Sequence, residues 1–278
     1  MSFAAEDQAI PVRLRRHAGF FSPEPAEFCF SVHLKQYPRV FPTQADYSAS
    51  NWVAHRLESG IAIEFGKLGM PPGQFAYTIL IDAKQNNGDI FLNQRALEGD
   101  VSPLDFPLML AEVVAAQLLA YRGGILLHAC GVQSGAEKGL VFSGVSGAGK
   151  TTTARLWSRH PTARLMSDER LAVRKIGGRF ELYSTPWNSP EFAITRLSAP
   201  LAGIFFLRHG AENQARRMEL SPAVTHLLQR AYLPAWDRQA LENSLAVLEE
   251  LAGAAPCYDF AFTPDSRAVE YVEWLNGC

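Results

Sequence analysis

The stretch Gly139-Leu-Val-Phe-Ser-Gly-Val-Ser-Gly-Ala-Gly-Lys-Thr-Thr152 decides the fold of this 278-residue chain. Its first four residues predict a short apolar strand, and the eight residues 144–151 follow the pattern G-x-x-x-x-G-K-[ST]. Residues 152–159 predict a helix that His160-Pro161 must end. A strand, a glycine-rich loop and a helix in this order indicate an α/β fold.

The loop is typical of a phosphate-binding site. Glycines let backbone N–H groups converge on phosphate oxygens, and the following helix adds its positive end. Lys150 is expected to reach the β and γ phosphates of a nucleoside triphosphate, and the Thr151 hydroxyl to bind Mg²⁺. The alternative is a glycine-rich turn with an idle lysine. The residues expected to hold the nucleotide are Gly144, Val145, Ser146, Gly147, Ala148, Gly149, Lys150, Thr151 and Thr152.

An acidic pair, Asp168-Glu169, ends a short strand predicted at 164–167. A triphosphate site needs a carboxylate near the metal, so Thr151, Asp168 and Glu169 are the candidate metal ligands. Adjacent strand residues point to opposite faces, and Asp168 has the better claim to face the site. The alternative is a solvated turn before the hairpin predicted at 171–183.

His128 follows an apolar strand predicted at 125–127. We expect this strand to lie beside the loop strand, with the carboxyl ends of both at the ligand crevice. His128 would then orient the catalytic carboxylate or contact the transferred phosphate. The alternative is a histidine that is only hydrogen-bonded structure.

The pattern of predicted secondary structure changes near Val101. Before it, strands are predicted at 27–34, 60–65, 75–82 and 89–92, which make a smaller β-rich lobe over residues 1–101. After it, a helix from Pro103 leads into a larger domain over residues 102–278. Helices are predicted at 222–232, 238–251 and 267–275, with a strand at 257–262 before the last.

Composition restricts the partners. With 47% hydrophobic residues and a net charge of −2, the chain offers no broad positive field, so neither nucleic acid nor a membrane surface is expected. The apolar run 106–121 is too short to span a bilayer. Four scattered cysteines and the lack of a secretory signal at the start predict reduced thiols in the cytoplasm.

The sequence resembles the catalytic core of the HPr kinase/phosphorylase family, and bacterial HprK-like kinases more closely. The resemblance is carried by His128-Ala-Cys-Gly-Val, the loop stretch, Leu165-Met-Ser-Asp-Glu and Ser184-Thr-Pro-Trp187, and it covers residues 125–207. It implies a phosphate-binding loop on a mixed β-sheet, an α/β fold with an α+β tendency. The core is also similar to ATP-dependent phosphoenolpyruvate carboxykinase, which we keep as a fold relative only.

The resemblance also implies roles. ATP and Mg²⁺ would be the cofactors, and Asp168, His128 and Lys150 the catalytic residues, with Asp168 as general base on an acceptor hydroxyl. Glu169 stands where HPr kinases usually have a second aspartate. Their glycine-rich signature loop is missing and residues 186–190 take its place, so an acceptor other than HPr is expected. The family also implies a homo-oligomer.

Three functions remain open. The first is an ATP-dependent kinase acting on a hydroxyl of a protein, a peptide or a small molecule, with the β-rich lobe as acceptor recognition. The second is a nucleotide-binding regulatory module without efficient transfer, and a remote third is a carboxykinase-like enzyme. Arg196 and Arg208 could supply charge to a transition state but are more typical of surface residues, and Trp187 is more typical of a core aromatic than of a substrate wall.

Overall fold

The computed structural model describes residues 2–5, 29–33, 35, 37–38, 41, 44–66, 74–93 and 108–277. These residues form two compact units, one from residues 2–114 and 235–238, the other from 115–234 and 239–277. The predicted domain boundary between residues 101 and 102 and the predicted helix start at Pro103 lie outside the described residues. Both stay predictions.

A mixed sheet makes up most of the first unit. Its described strands are β1 (Ser2–Ala5), β2 (Cys29–His33), β3 (Tyr47–Ser48), β4 (Trp52–Leu57), β5 (Gly60–Phe65), β6 (Tyr77–Asp82) and β7 (Asn87–Leu92). They lie in the order β1-β2-β7-β6-β5-β4-β3, with β1, β2 and β7 parallel and the rest antiparallel. Ile63, Ile79 and Ile90 fill its core. The sequence predicts β5 correctly but misses β4.

The boundary between the two units falls within helix α1 (Leu108–Ala120). The second unit begins in this helix. Its strands are β8 (Gly124–Leu127), β9 (Cys130–Gln133), β10 (Gly139–Ser143), β11 (Arg164–Ser167), β12 (Leu171–Ile176), β13 (Arg179–Tyr183), β14 (Ser198–His209), β15 (Gln214–Arg217) and β16 (Cys257–Phe262). Its other helices are α2 (Lys150–Ser158), α3 (Leu220–Leu228), α4 (Arg238–Ala254) and α5 (Ser266–Asn276).

These strands form one mixed sheet in the order β11-β9-β10-β14-β13-β12-β8, with β16 on β14 and β15 on β16. The long strand β14 joins its two parts. The start of β14 pairs antiparallel with β13, and its later residues pair parallel with β10 and β16. The protein therefore has a mixed α/β fold, as the sequence predicts.

Helices cover both faces of this sheet because alternate residues of the central strands point to opposite sides. On β14, Ile204 and Phe206 join a core with α3 and α4, whereas Phe205 and Leu207 join a core with α2 and α5. Trp157 of α2 is 1% exposed. This packing fixes α2 against the sheet directly after the glycine-rich loop.

Most predicted elements of this unit are confirmed, including the hairpin of β12 and β13 and the strand β16. Helix α2 begins at Lys150, two residues earlier than predicted, and ends before His160-Pro161. The sequence misses β9 and β15. Within the described ranges, no helix is long and apolar enough to cross a membrane.

Candidate functional site

The loop between β10 and α2 has a backbone that only glycine accommodates at two positions. Gly149 has φ of +107°, and a Cβ there would lie 2.4 Å from the ring of Phe262. A Cβ on Gly144 would lie 2.7 Å from that of Ala148. The motif glycines are therefore required by close approach and by a left-handed conformation.

Lys150 and Thr151 stand in the first turn of α2. Lys150 Nζ donates to the carbonyl oxygens of Gly144, at 3.0 Å, and Val145, at 3.4 Å. Thr151 is exposed, and no side chain caps the helix at Gly149. The uncapped N–H groups of this turn can bind an anion, and the ammonium lies within reach of one held there.

His209, at the end of β14, contacts the loop from another side. Its Nε2 lies 2.8 Å from the carbonyl oxygen of Gly147. The residues on either side of it in the chain, Arg208 and Gly210, line an open depression of about 470 Å³ together with Asn213, Gln214 and Tyr271. None of the loop residues 144–151 is among those that line this depression.

Strand directions bring the candidate residues to one edge of the sheet. Strands β10 and β11 each run antiparallel to β9, so they are parallel to each other. Their carboxyl ends, which carry the loop and Asp168-Glu169, meet at the amino end of β9, where Cys130 lies. The sequence predicts this convergence of loop and acidic pair, although it misses the strand between them.

Asp168 is buried, at 1% exposure. Its Oδ1 accepts a hydrogen bond of 2.9 Å from the backbone N–H of Ser189. Its Oδ2 is also buried and has no hydrogen-bond partner among the described residues. An ionised carboxylate in such a place has lost its solvation and has a hydrogen bond on only one oxygen. A bound cation or a donor hydroxyl would stabilise the other oxygen.

Glu169 takes the opposite orientation, with a side chain that is 42% exposed. Its Oε2 lies 3.4 Å from His128 Nε2 and 3.2 Å from Arg170 Nη1. The two acidic residues therefore point to different sides, as strand geometry predicts. His128, Glu169 and Arg170 form a connected polar group.

The predicted position of His128 is wrong in one respect. Strand β8, which it follows, pairs antiparallel with β12 rather than lying beside β10. His128 reaches the site because β9, the true neighbour of β10, begins two residues later at Cys130. Its carbonyl oxygen accepts a hydrogen bond of 3.4 Å from Ser143 Oγ at the end of β10.

Positive charge surrounds this histidine. Burial lowers the pKa of His128 to about 4, and the charges of Lys150, Arg170 and Arg230 contribute. The imidazole is thus neutral near pH 7, so its approach to Glu169 is a weak polar contact and not an ion pair. A neutral imidazole can accept or relay a proton beside the acidic pair.

The same charges act on Lys150 and Cys130. Burial lowers the pKa of the Lys150 ammonium, Arg230 lowers it further, and Glu169 opposes the shift. Burial raises the pKa of the Cys130 thiol, with Asp168 adding to the rise and Lys150 opposing it. The electrostatic couplings therefore join the loop lysine, the acidic pair and the start of β9 into one site.

Other candidates lie apart or are engaged. Arg208 Nε donates to both carboxylate oxygens of Asp259, at 2.9 and 3.0 Å, and is exposed. Arg196 is also exposed. Trp187 is partly buried, and its indole Nε1 is a buried donor without a partner in the described part of the chain. Arg230 and Ser189 were missed because no local pattern marks them.

The oxygen ligands at this edge of the sheet fit Mg²⁺. No group of three or more His, Cys, Asp and Glu side chains that could hold a metal occurs among the described residues. Mg²⁺ usually takes one or two carboxylates and completes its shell with water and phosphate oxygens, so a small set of protein ligands suits it. The unpartnered oxygen of Asp168 and the hydroxyl of the exposed residue Thr151 are ligands of the right kind.

Comparisons with known proteins give a limited result. No protein-family model matches the sequence, and no curated protein matches it. Among solved structures, the chain is similar to the HPr(Ser) kinase/phosphatase from Coxiella burnetii, with a TM-score of 0.31 and 11% identity over 54% of this chain and 87% of that chain. A similarity of this size is weak and does not establish a family.

Proposed function

We propose that the chain is an ATP- and Mg²⁺-dependent kinase that transfers the γ-phosphate to a hydroxyl. The observation that carries the proposal is the loop at 144–151 beside a buried carboxylate, Asp168, with one unpartnered oxygen. A loop alone would account for nucleotide binding. A half-compensated carboxylate at the same sheet edge adds the group that phosphoryl transfer needs.

Each residue then has a chemical task. The N–H groups of the loop, from Gly144 to Thr152, hold the phosphates, and the Lys150 ammonium turns from its loop carbonyls to the β and γ phosphates. Thr151 with Asp168 or Glu169 would hold Mg²⁺, which when bound neutralises charge on the phosphates. These tasks are the ones that the resemblance to HprK-like kinases implies.

Asp168 would accept the proton of the acceptor hydroxyl through Oδ2, since Ser189 already occupies Oδ1. His128, neutral and 3.4 Å from Glu169, would assist the acidic pair. The acceptor is a serine of a protein or peptide, or else a small molecule. Recognition of that acceptor by the first unit, a homo-oligomeric assembly and a cytoplasmic location stay predictions.

One observation favours a second candidate, a nucleotide-binding regulatory module without efficient transfer. Asp168 is only 1% exposed, and the backbone of Ser189 bonds to it. A base must come within hydrogen-bond reach of the hydroxyl it deprotonates. Transfer therefore requires residues 187–189 to admit the acceptor, whereas a regulatory module would keep them closed.

Labelled transfer separates the two candidates. Purified protein is incubated with γ-labelled ATP, Mg²⁺ and an extract of metabolites and peptides, beside Asp168→Asn and Lys150→Ala. The kinase predicts label in an acceptor with the wild-type protein alone. Nucleotide binding without transfer or hydrolysis would refute the kinase and support the regulatory module.

A further inference from the structure

Backbone hydrogen bonds join the turn after helix α3 to the strand that precedes His128. The His128 N–H donates to the carbonyl oxygen of Arg230 at 2.8 Å, and the Tyr232 N–H donates to that of Leu126 at 2.9 Å. Between these bonds, Ala231 and Leu127 form an isolated bridge. Backbone bonds therefore hold Arg230 beside His128.

Side-chain contacts tie this turn to the acidic pair. The guanidinium of Arg170 lies 4.6 Å from the ring centroid of Tyr232, and its Nη1 lies 3.2 Å from Glu169 Oε2. The same oxygen lies 3.4 Å from His128 Nε2. The turn, Arg170, Glu169 and His128 thus form a connected group.

The Arg230 guanidinium lacks a carboxylate of its own in the described part of the chain. Its Nη1 donates to the carbonyl oxygen of Gln229 at 3.0 Å. The residue is partly buried, and its backbone is bonded to His128, which in turn lies 3.4 Å from Glu169. A guanidinium without a carboxylate partner is a ready donor to an anionic ligand at this place.

We infer that Arg230 is a second cationic ligand of the nucleotide, acting with Lys150 on the terminal phosphate. The inference rests on the proposed nucleotide site. The loop and the start of α2 would hold the phosphates from one side, and the turn that carries Arg230 is bonded to His128, which lies 3.4 Å from Glu169. An Arg230 guanidinium on that side would meet the terminal phosphate. A guanidinium suits it because its planar N–H donors match two phosphate oxygens.

Binding of MgATP and of MgADP measured by calorimetry tests this role. The variants are Arg230→Gln, Arg230→Lys and the matched control Arg216→Gln, which removes an exposed arginine from β15. Arg230→Met, which keeps the apolar stem, replaces the glutamine variant if that one does not fold. Lys150→Ala tests the underlying site separately.

We expect Arg230→Gln to weaken MgATP about ten-fold or more and MgADP by less than about three-fold, since a charge-assisted contact with one phosphate is lost. Arg230→Lys, which keeps the charge but not the paired planar donors, should bind MgATP with an affinity between those of Arg230→Gln and the wild type. Equal loss for both nucleotides, or no difference from Arg216→Gln, would overturn the role of Arg230. If Lys150→Ala binds MgATP like the wild type, the nucleotide site itself is refuted. If Lys150→Ala loses affinity and the Arg230 variants do not, the nucleotide site stands and only the role of Arg230 is overturned.

Discussion

The backbone N–H of Ser189 donates to Oδ1 of Asp168 over 2.9 Å, and Oδ2 of the same carboxylate is buried with no partner among the described residues. A buried carboxylate with a hydrogen bond on only one of its oxygens lowers the free energy of unfolding. Such an arrangement is typical of functional sites, where a group is kept for its chemistry rather than for stability.

Asp168→Asn should therefore separate stability from activity. The amide oxygen can still accept from Ser189, and the buried charge is gone, so we expect the free energy of unfolding to rise by about 1 kcal/mol. Phosphoryl transfer should be lost. Urea unfolding and labelled transfer measure the two effects. Asp259→Asn, at an exposed pair with Arg208, is the control and should bring no gain. A clear loss of stability in Asp168→Asn would contradict the account.

Gly149→Ala should be costly for two reasons, a left-handed φ of +107° and a Cβ 2.4 Å from the Phe262 ring. We expect a loss of about 2–4 kcal/mol in unfolding free energy. Gly177→Ala is the matched control, because Gly177 has φ of +56° with open space around it, and it should cost about 1 kcal/mol.

The double variant Gly149→Ala with Phe262→Leu isolates the ring contact. Adding Phe262→Leu should cost less in the Gly149→Ala background than in the wild type, because the smaller side chain relieves the overlap. Denaturant unfolding of the four proteins gives this coupling. Strict additivity would show that the ring does not restrict residue 149.

The Thr151 hydroxyl should matter only when metal and nucleotide are both present. Thr151→Val keeps the branched shape at an exposed position, so the melting temperature without ligand should stay within about 1 °C. The additional stabilisation by ATP on adding Mg²⁺ should fall sharply, because a metal ligand is lost. Thr225→Val, at an exposed threonine of α3, is the control and should leave the Mg²⁺ effect unchanged. An unchanged Mg²⁺ effect in Thr151→Val would remove Thr151 from the metal site.

His128 predicts a pH dependence of stability. Its folded pKa of about 4 lies below the ordinary value of 6.5, so the unfolded chain binds more protons between these values. The contribution of His128 to stability is therefore complete above about pH 6.5 and declines as pH falls toward 4. NMR titration of the imidazole should give a midpoint near 4, and His128→Gln should flatten the stability profile in this window. A midpoint near 6.5 would contradict the burial and positive surroundings found here.

The sequence predicts those parts of the site that depend on local pattern. Residues 144–151 follow a fixed spacing because each position has its own backbone or side-chain requirement. Asp168 and Glu169 could be found because they end a short strand soon after the loop helix. The strand pair β12 and β13 is equally local, since Gly177 and Gly178 both have positive φ at its turn.

The parts that the sequence does not predict depend on contacts between distant segments. Strand β9 begins two residues after His128, and its short polar-and-small sequence Cys-Gly-Val-Gln has no strong strand pattern. Its pairing with β10 and β11 places His128 at the site by a different route from the one predicted. Arg230 lies 62 residues after Asp168 (230 − 168), and the backbone bonds between its turn and residues 126–128 bring it near.

Calorimetric titration with MgATP shows whether the loop at 144–151 binds a nucleoside triphosphate. Lys150→Ala is compared with Lys175→Ala, which removes a surface lysine paired with Glu250. We expect the wild type and Lys175→Ala to bind MgATP alike and Lys150→Ala to lose about 100-fold or more in affinity, since a cation on the β and γ phosphates is removed. Equal affinity of Lys150→Ala and wild type would contradict this expectation.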